Sequence, residues 1–377
     1  MKVLYDLQAF QWTRYSGIPR YFTELISQFR VMDDIDVLLP CAYCMNRGYQ
    51  NLFPDLMNSI RWKLNDWIID KSEKIIHKNP TRYLSNVEKK SLQYIDDNDY
   101  DVFHPTFFNP YYLKHIQRKP YVLTIHDLSL EIYPELVSLP FAYGTTLNSE
   151  LVIENAAGFI ADSENTKKEF VEYYDIDSYL VDVVYLGPTF NLSTPIINET
   201  DTQKYLLYVN LRSGRKNFYS FVAAIKNILK ENNLQLICSG GGSFTQEEIG
   251  FFKAHGISEL VKYVPADDKK LQSLYQNALA FVFPSIYEGF GIPILEAFSC
   301  GCPVILSDAS CLPEVGGDAV VYFNPKDVVS MRSAVERVVS DEKLRNQMRE
   351  RGYKQLEKFS WNKCAEETKK VYEKAME

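Results

Sequence analysis

The chain has too few cysteines and too few long apolar stretches for a disulfide-stapled or membrane-spanning protein. Seven cysteines occur among its 377 residues, far below the density of a small secreted scaffold. Cys41 and Cys44 have the spacing of a metal or redox pair, but no second pair or nearby histidine completes a zinc set. No uncharged run approaches the ~20 apolar residues of a membrane span. We therefore expect reduced thiols and no crossing of a membrane.

An excess of positive charge is also missing. The formal net charge is −8, so the chain lacks the global basic field of a nucleic-acid-binding protein. The segment Met1–Tyr5 is typical of a strand rather than of a signal peptide, which predicts a cytoplasmic location. Aromatic residues reach 14%, and these rings suit either stacking on sugars or ordinary core packing.

Short apolar runs alternate with helical segments throughout, which predicts an α/β protein with parallel sheets. A chain of 377 residues exceeds one ordinary core, so two domains are expected. We predict domains at residues 1–190 and 200–358, separated by a stretch rich in proline and asparagine, and a terminal helix at 359–377 that begins at the N-cap Ser360. The predicted strands are Lys2–Asp6, Asp36–Pro40, Val102–Pro105, Tyr121–Ile125, Gly158–Ala161, Val181–Tyr185, Tyr205–Val209, Leu234–Ser239, Val261–Val264, Phe281–Phe283, Val304–Leu306 and Ala319–Tyr322.

The most informative segment is the glycine-containing loop and helix from Glu288 to Glu296. It lies between two buried strands, as in a parallel crossover. Gly289 and Gly291 allow backbone to approach a ligand closely, and Pro293 suits a first helical turn. The free N–H groups of that turn form a natural phosphate seat. A phosphate site flanked by two carboxylates suits a sugar nucleotide.

This segment resembles the glutamate-seven-glutamate signature of retaining GT-B glycosyltransferases, in the large bacterial family known as family 4 or glycosyl transferases group 1. The likeness continues through Ala297–Val304 and Leu312–Asp318. It implies a GT-B fold, in which two Rossmann-like domains face a central cleft. The first domain would bind the acceptor and the second the nucleotide sugar, while the terminal helix would pack back on the first domain.

A basic loop after the strand Tyr205–Val209 supplies the predicted contacts to the donor diphosphate. Fixed cations stabilise the charge that develops on a departing diphosphate. Arginine binds phosphate through a bidentate fork, and lysine acts as a point charge. The loop resembles the family's Arg-Lys-Asn loop, so we predict Arg212, Arg215 and Lys216 as donor-binding residues and Lys216 also as catalytic. Asn210 stands where the family usually has glycine.

The resemblance also assigns roles within the Glu288–Glu296 segment. Glu288 would contact the donor sugar near the anomeric centre as a catalytic residue, and Glu296 would bind the ribose hydroxyls. The backbone N–H groups of Phe290, Gly291 and Ile292 would approach the diphosphate.

Candidate residues of the first half follow strands. Gly17 lies in a loop that resembles the family's Gly-Gly-Ile loop near the donor phosphate, and it is predicted to bind the donor. His126 ends the strand Tyr121–Ile125 and resembles the family histidine that meets the donor sugar, so it is assigned a catalytic role. Asp127 is a rival carboxylate whose alternative role is to cap a turn. His104 could bind acceptor, although a structural role is slightly favoured.

The predicted activity is retaining transfer of a mannose- or glucose-type hexose from a nucleotide sugar to a glycan or lipid-linked glycan, in lipopolysaccharide or capsule biosynthesis. The resemblance implies attack on the face that the diphosphate leaves, with a phosphate oxygen as base, and neither cofactor nor metal. The alternatives are a GT-B nucleotide-sugar epimerase and a non-catalytic glycan-binding relative. The sequence leaves the donor base open between GDP, UDP and others.

Residues 61–90 carry a local excess of positive charge. Eight basic and four acidic residues give this segment a charge of +4. Interleaved tryptophan and isoleucine residues make it amphipathic, and such a helix can lie on an anionic membrane surface. A helix packed on the core with a solvated basic face is an equal alternative. Peripheral contact with the inner face of the membrane is therefore a hypothesis.

Overall fold

The computed structural model describes residues 1–11, 17–42, 44, 46–53, 80–136, 149–190 and 203–377. Parallel sheets alternate with helices in both halves of this part of the chain, which confirms the predicted α/β class. Most of the basic segment 61–90, the centre of the predicted linker, and Tyr15 and Ser16 lie outside the described residues. No described helix is both long and apolar enough to cross a membrane.

The first half contains two three-stranded parallel sheets, ordered β2-β1-β3 and β4-β5-β6. A single parallel bridge between Phe103 and Tyr121 joins the two sheets. Because β2 and β3 flank β1 on opposite sides, the loops after β1 and β3 lie at a topological switch point. The strands are β1 (Lys2–Tyr5), β2 (Asp36–Leu38), β3 (Val102–His104), β4 (Val122–Ile125), β5 (Gly158–Ala161) and β6 (Val181–Val183).

The second half forms one six-stranded parallel sheet of order β12-β11-β10-β7-β8-β9. The chain runs outward from β7 through β9 and then returns to the other side of β7 with β10. The loops after β7 and β10 therefore meet at the switch point, where open parallel sheets bind their ligands. The strands are β7 (Tyr205–Val209), β8 (Gln235–Ser239), β9 (Val261–Tyr263), β10 (Ala280–Phe283), β11 (Val304–Ser307) and β12 (Val321–Phe323).

The predicted strands are confirmed with small differences at their ends. The largest shift is in the last one, since Ala319 belongs to a turn and β12 continues to Phe323. The described helices are α1 (Gly17–Phe29), α2 (Arg47–Asn51), α3 (Pro80–Asp97), α4 (Ser129–Ile132), α5 (Ser149–Glu154), α6 (Glu164–Tyr174), α7 (Phe218–Glu231), α8 (Gln246–Ala254), α9 (Asp268–Asn277), α10 (Ile292–Ser299), α11 (Leu312–Gly316), α12 (Val328–Ser340), α13 (Glu342–Leu356) and α14 (Trp361–Ala375).

The last helix, α14, packs on α1 and on strands β4 and β5 of the first half. Ser360 caps it as predicted, since the side chain accepts a hydrogen bond from the Lys363 N–H. Near its end, the Tyr372 hydroxyl lies 2.6 Å from Nδ1 of His104. Burial lowers the pKa of His104 to about 3. The ring is therefore neutral and engaged in the core, which supports its structural interpretation. The predicted domain boundaries themselves stay a prediction.

Candidate active site

Lys216 and Glu288 meet at the switch point of the second sheet. Lys216 ends a short 3-10 turn after β7, and Glu288 lies in the loop between β10 and α10. The Lys216 Nζ donates to both carboxylate oxygens of Glu288 at 2.6 and 2.8 Å, and each side chain is only 11% exposed. The sequence placed these residues on separate loops, and the fold brings them into direct contact.

The Glu288 carboxylate has further partners that fix its orientation. Its Oε1 accepts hydrogen bonds from the Ser285 hydroxyl at 2.7 Å and from the Asn210 amide at 3.3 Å. Its backbone N–H donates to the Ser310 hydroxyl at 3.1 Å, and its carbonyl accepts from the Cys311 thiol. Asn210 thus helps to orient the Glu288 carboxylate.

The start of α10 presents unpaired backbone donors. Gly291 precedes the helix with a φ of +102°, a conformation that favours glycine. Pro293 lies in the first turn, as predicted. Among the described residues, no group accepts a hydrogen bond from the N–H of Phe290, Gly291 or Ile292. Helix N-termini of this kind bind anions.

Glu296 lies buried within α10. Its Oε2 accepts a hydrogen bond from the Tyr275 hydroxyl at 3.1 Å. Burial raises the pKa of Glu296 above its ordinary value, against the opposing effects of Arg20 and of the Tyr275 hydrogen bond. Arg20 extends from α1 and pairs with Asp268 of α9 at 2.9 Å. Arg20 therefore connects the two halves of the chain near Glu296.

Arg212 is buried, whereas a residue of a solvent-exposed donor-binding loop would be expected at the surface. Its guanidinium bonds Glu248 at 2.6 Å and the carbonyls of Gly240 and Gly242 at 2.6 and 2.8 Å. It also lies over the Phe244 ring at 4.9 Å. Every nitrogen of this side chain thus has a protein partner, and Arg212 holds the glycine turn after β8. Its contact with a diphosphate stays a prediction.

Arg215 faces the first half of the chain. It pairs with Asp127, which follows His126, at 3.3 Å. Burial would raise the pKa of Asp127, but the nearby Arg215 and hydrogen bonds from Ser129 hold it below its ordinary value. Asp127 also accepts from the Ser129 N–H at 3.0 Å. Asp127 therefore caps the turn after β4 and binds a cation, and its alternative role as a carboxylate near the donor sugar stays a prediction.

His126 pairs with a carboxylate that the sequence analysis missed. Its Nδ1 lies 2.8 Å from Oδ2 of Asp162, and the two side chains are 15% and 4% exposed. Strands β4 and β5 pair Ile125 with Ala161, so the residues that follow each strand lie side by side. Burial raises the pKa of Asp162, and His126 opposes that rise. The sequence contains a signal for this pair, because His126 and Asp162 each directly follow a predicted strand, and residues that follow adjacent parallel strands lie side by side.

Gly289 is required by the opposite half of the chain. A Cβ at this position would lie 1.6 Å from the carbonyl oxygen of His126. On this side of Gly289 the backbone of His126 makes the close approach for which the sequence predicted a ligand. Gly289 thus allows the loop bearing Glu288 to pack directly against the end of β4.

Two further side chains of the second half reach α6. The Tyr287 hydroxyl donates to Glu169 at 2.6 Å and accepts from the Leu128 N–H at 3.1 Å. Glu314 accepts from the backbone N–H of Glu164 at 2.8 Å. Glu314, a residue of α11, thus binds the N–H group at the N-terminus of α6 in the other half of the chain.

Gly17 begins α1 and is exposed, with nothing within 4 Å of a Cβ built on it. The structure therefore places it where a ligand could approach, and its donor contact stays a prediction. No cluster of three or more histidine, cysteine or carboxylate side chains able to hold a metal occurs in the described part of the chain.

A cavity of about 330 Å³ adjoins the loop before Glu288, with walls from both halves. Tyr133 and Glu169 contribute from one side, and Tyr287 and Lys326 from the other. The two tyrosine rings lie 5.2 Å apart. The Asn165 Nδ2 is buried at this cavity without a hydrogen-bond partner among the described residues. Rings and unsatisfied polar groups are typical of sites for polar ligands.

Comparison with known proteins agrees with this architecture. Residues 192–355 match the family described as Glycosyl transferases group 1. O-antigen chain mannosyltransferase B of Escherichia coli is 26% identical over 391 residues, covering 99% of each chain. An uncharacterised glycosyltransferase of Methanocaldococcus jannaschii is 29% identical, covering 78% of this chain and 80% of its own.

Solved structures share the whole fold. A glycosyltransferase from Rickettsia africae superposes with a TM-score of 0.71 at 15% identity, covering 100% of this chain and 98% of its own. HepE of Anabaena, in complex with UDP and glucose, gives a TM-score of 0.71 at 15% identity and 98% coverage of both chains. The fold is therefore that of GT-B glycosyltransferases, and residues 192–355 resemble the glycosyl transferases group 1 family.

Proposed function

We propose that this protein is a glycosyltransferase that moves a mannose- or glucose-type hexose from a nucleotide diphosphate sugar to a glycan or lipid-linked glycan, with retention of anomeric configuration. The observation that carries the proposal is the buried Lys216–Glu288 pair beside the free N–H groups of α10. A cation, a carboxylate and an anion-binding helix end converge at the sheet's switch point. That set suits a sugar attached to a diphosphate.

The proposed reaction uses this arrangement. The N–H groups before and at the start of α10 bind the diphosphate, and Lys216 stabilises the negative charge that grows on it as the glycosidic bond breaks. Glu288 then contacts the sugar, and His126 orients it from the opposite face of the cleft. Attack comes from the side that the diphosphate leaves, with a phosphate oxygen taking the acceptor proton. No metal is required in this scheme, because protein cations carry the charge.

The acceptor is a growing glycan that is destined for a cell-surface polysaccharide. Support comes from the name of the E. coli relative, an O-antigen chain mannosyltransferase, which covers 99% of this chain. The cavity lined by Tyr133, Tyr287 and Asn165 provides rings and an unpaired amide for a sugar unit. A lipid-linked acceptor would bring the enzyme to the inner face of the membrane, where the basic segment 61–90 would contact anionic lipid.

The test begins with thermal unfolding of the full chain in the presence of GDP, UDP, GDP-mannose and UDP-glucose. A ligand at a hundred times its Kd stabilises by about 2.7 kcal/mol, and we expect one nucleotide series to do so. The matching sugar nucleotide is then incubated with α-linked mannobiose, and the anomeric configuration of the product is read by NMR.

Two results would contradict the proposal. Stabilisation by none of the four nucleotides would remove the donor site, and an inverted product would remove the retaining mechanism. Conversion of the donor sugar without acceptor would instead indicate an epimerase. Lys216→Met provides the control, because it should lose the nucleotide-dependent stabilisation if the binding site is the one described.

A further inference from the structure

The His126–Asp162 pair leaves two buried polar atoms unsatisfied. The imidazole Nε2 and the second carboxylate oxygen, Oδ1 of Asp162, are both buried and have no hydrogen-bond partner among the described residues. An unpaired buried polar group destabilises the folded protein, because it has lost its hydrogen bonds to water. Such groups are rare in folded proteins, and they occur where a ligand or a catalytic role explains them.

The contact geometry selects one form of the imidazole. Oδ2 of Asp162 lies 2.8 Å from Nδ1 of His126. Burial raises the pKa of Asp162 and the imidazole opposes that rise, so we take the carboxylate as ionised, in which form it can only accept a hydrogen bond. Nδ1 therefore carries the proton. In the neutral ring the proton is then absent from Nε2, which is left as an acceptor.

The ring is also held against rotation. The Tyr21 ring meets it edge to face with centroids 5.1 Å apart, and the Phe22 ring does so at 6.1 Å. Both rings belong to α1, the helix that begins at Gly17. Since Asp162 holds one edge of the imidazole and α1 packs against it, the direction of the Nε2 lone pair is fixed.

We propose that Asp162 is a positioning residue that fixes His126 as the Nδ1–H tautomer, so that Nε2 accepts a hydrogen bond from a hydroxyl of the donor sugar. The inference rests on the proposed function, because that function places the donor sugar next to His126. His126 neither gains nor loses a proton during the transfer. Its acceptor atom selects a ligand hydroxyl and holds the sugar in one orientation.

The direct test is the protonation state of each ring nitrogen, measured by NMR on the full chain with ¹⁵N-labelled histidine. The chain has five histidines, and the signals of His126 are those lost in His126→Gln. We expect a protonated Nδ1 and an unprotonated Nε2. Addition of GDP-mannose or UDP-glucose, whichever stabilises the protein, should shift Nε2, and the matching nucleoside diphosphate should not.

Asp162→Asn provides the second measurement. An amide can present either its oxygen or its NH₂ to Nδ1, so the single tautomer should be lost. We expect kcat to fall roughly ten- to hundredfold, as for other partners that orient a functional histidine. Asp182→Asn is the matched control, because Asp182 lies in the same sheet, at β6, and is 40% exposed in its pair with Lys374.

Several outcomes would overturn the inference. A protonated Nε2 in the unmodified protein would show that the assigned tautomer is wrong. An Nε2 signal that responds equally to the nucleoside diphosphate would remove the contact with the sugar. The same tautomer and kcat in Asp162→Asn would remove the role of Asp162. The tautomer is read without turnover, so it can be measured even if no acceptor is found and the proposed transfer fails.

Discussion

The buried pair of Lys216 and Glu288 predicts that stability and activity respond differently to substitution. Lys216→Met removes the cation and leaves the Glu288 carboxylate in a site where it is 11% exposed. Glu288→Gln removes the negative charge but keeps an acceptor for the Ser285 and Asn210 hydrogen bonds. The double variant removes both charges together.

The structure sets the expected size of each change. Breaking a buried pair by removing one partner costs about 3–5 kcal/mol. Ser285 and Asn210 continue to bind the carboxylate, so we take the lower value of about 3 kcal/mol for Lys216→Met. For domains of 150–250 residues, 1 kcal/mol shifts Tm by about 2–4 °C, which gives a fall of roughly 6–12 °C. The double variant should return to within about 1 kcal/mol of the unmodified protein, since no unpaired charge remains.

Activity should not return with stability. Removal of a preorganised group that stabilises developing charge lowers kcat by about 10²–10³. Both single variants and the double variant should therefore be slow in a transfer assay, whatever their Tm. Lys374→Met is the matched control, because its pair with Asp182 is 28% and 40% exposed and should be worth less than about 1 kcal/mol. A double variant that regains kcat, or a Lys216→Met protein with unchanged Tm and kcat, would refute this reasoning.

Two other substitutions test the interface and the buried acid. Gly289→Ala would place a Cβ 1.6 Å from the His126 carbonyl, and a displacement of about 1 Å can lower kcat roughly a hundredfold. Gly250→Ala is the control, because a Cβ there meets nothing within 4 Å, and it should leave kcat unchanged and raise Tm. Equal kcat in both variants would contradict the role of Gly289 in the contact between the two halves. Burial raises the pKa of Glu296 from its ordinary 4.5, so the folded protein binds that proton more tightly than the unfolded chain and loses stability as pH rises from 4.5 through the folded value. Glu296→Gln should flatten this fall in urea unfolding measured from about pH 4 to about pH 8, and parallel curves would show that the raised pKa is absent.

The fold could be predicted because its strands are short apolar runs bounded by loops, and most of these runs are buried in the sheets. The pairing of Lys216 with Glu288 was implied by topology, since both follow strands that flank a switch point. Their direct contact could not be predicted. The periodicity of apolar residues indicates which face of a helix or strand is buried, but it does not give the distance between side chains on two loops.

Contacts between the two halves could not be predicted, because they depend on how the domains face each other. Nothing in the sequence around Gly289 indicates that its neighbour is the carbonyl of His126. For Arg212 the sequence predicted a ligand contact where the structure shows a contact within the protein. Its basic neighbours indicated a phosphate-binding loop, whereas its guanidinium donates a hydrogen bond to Glu248, a carboxylate 36 residues later.

In two loops of the second half, residues of the candidate active site directly adjoin residues that contact the first half. The position of the two domains is therefore linked to the position of the active-site side chains. Arg215 pairs with Asp127 of the first half, and the next residue is Lys216. Tyr287 bonds α6, Gly289 meets β4, and Glu288 lies between them. A loop residue cannot move without its neighbours, since consecutive Cα atoms are held about 3.8 Å apart. A change in the angle between the domains that keeps these contacts would therefore shift Lys216 and Glu288. If a nucleotide sugar draws Lys216 away from Glu288, as the proposed function implies, we expect it to act on the contacts of Arg215 and Tyr287, so that donor binding and domain closure would be linked through the same two loops.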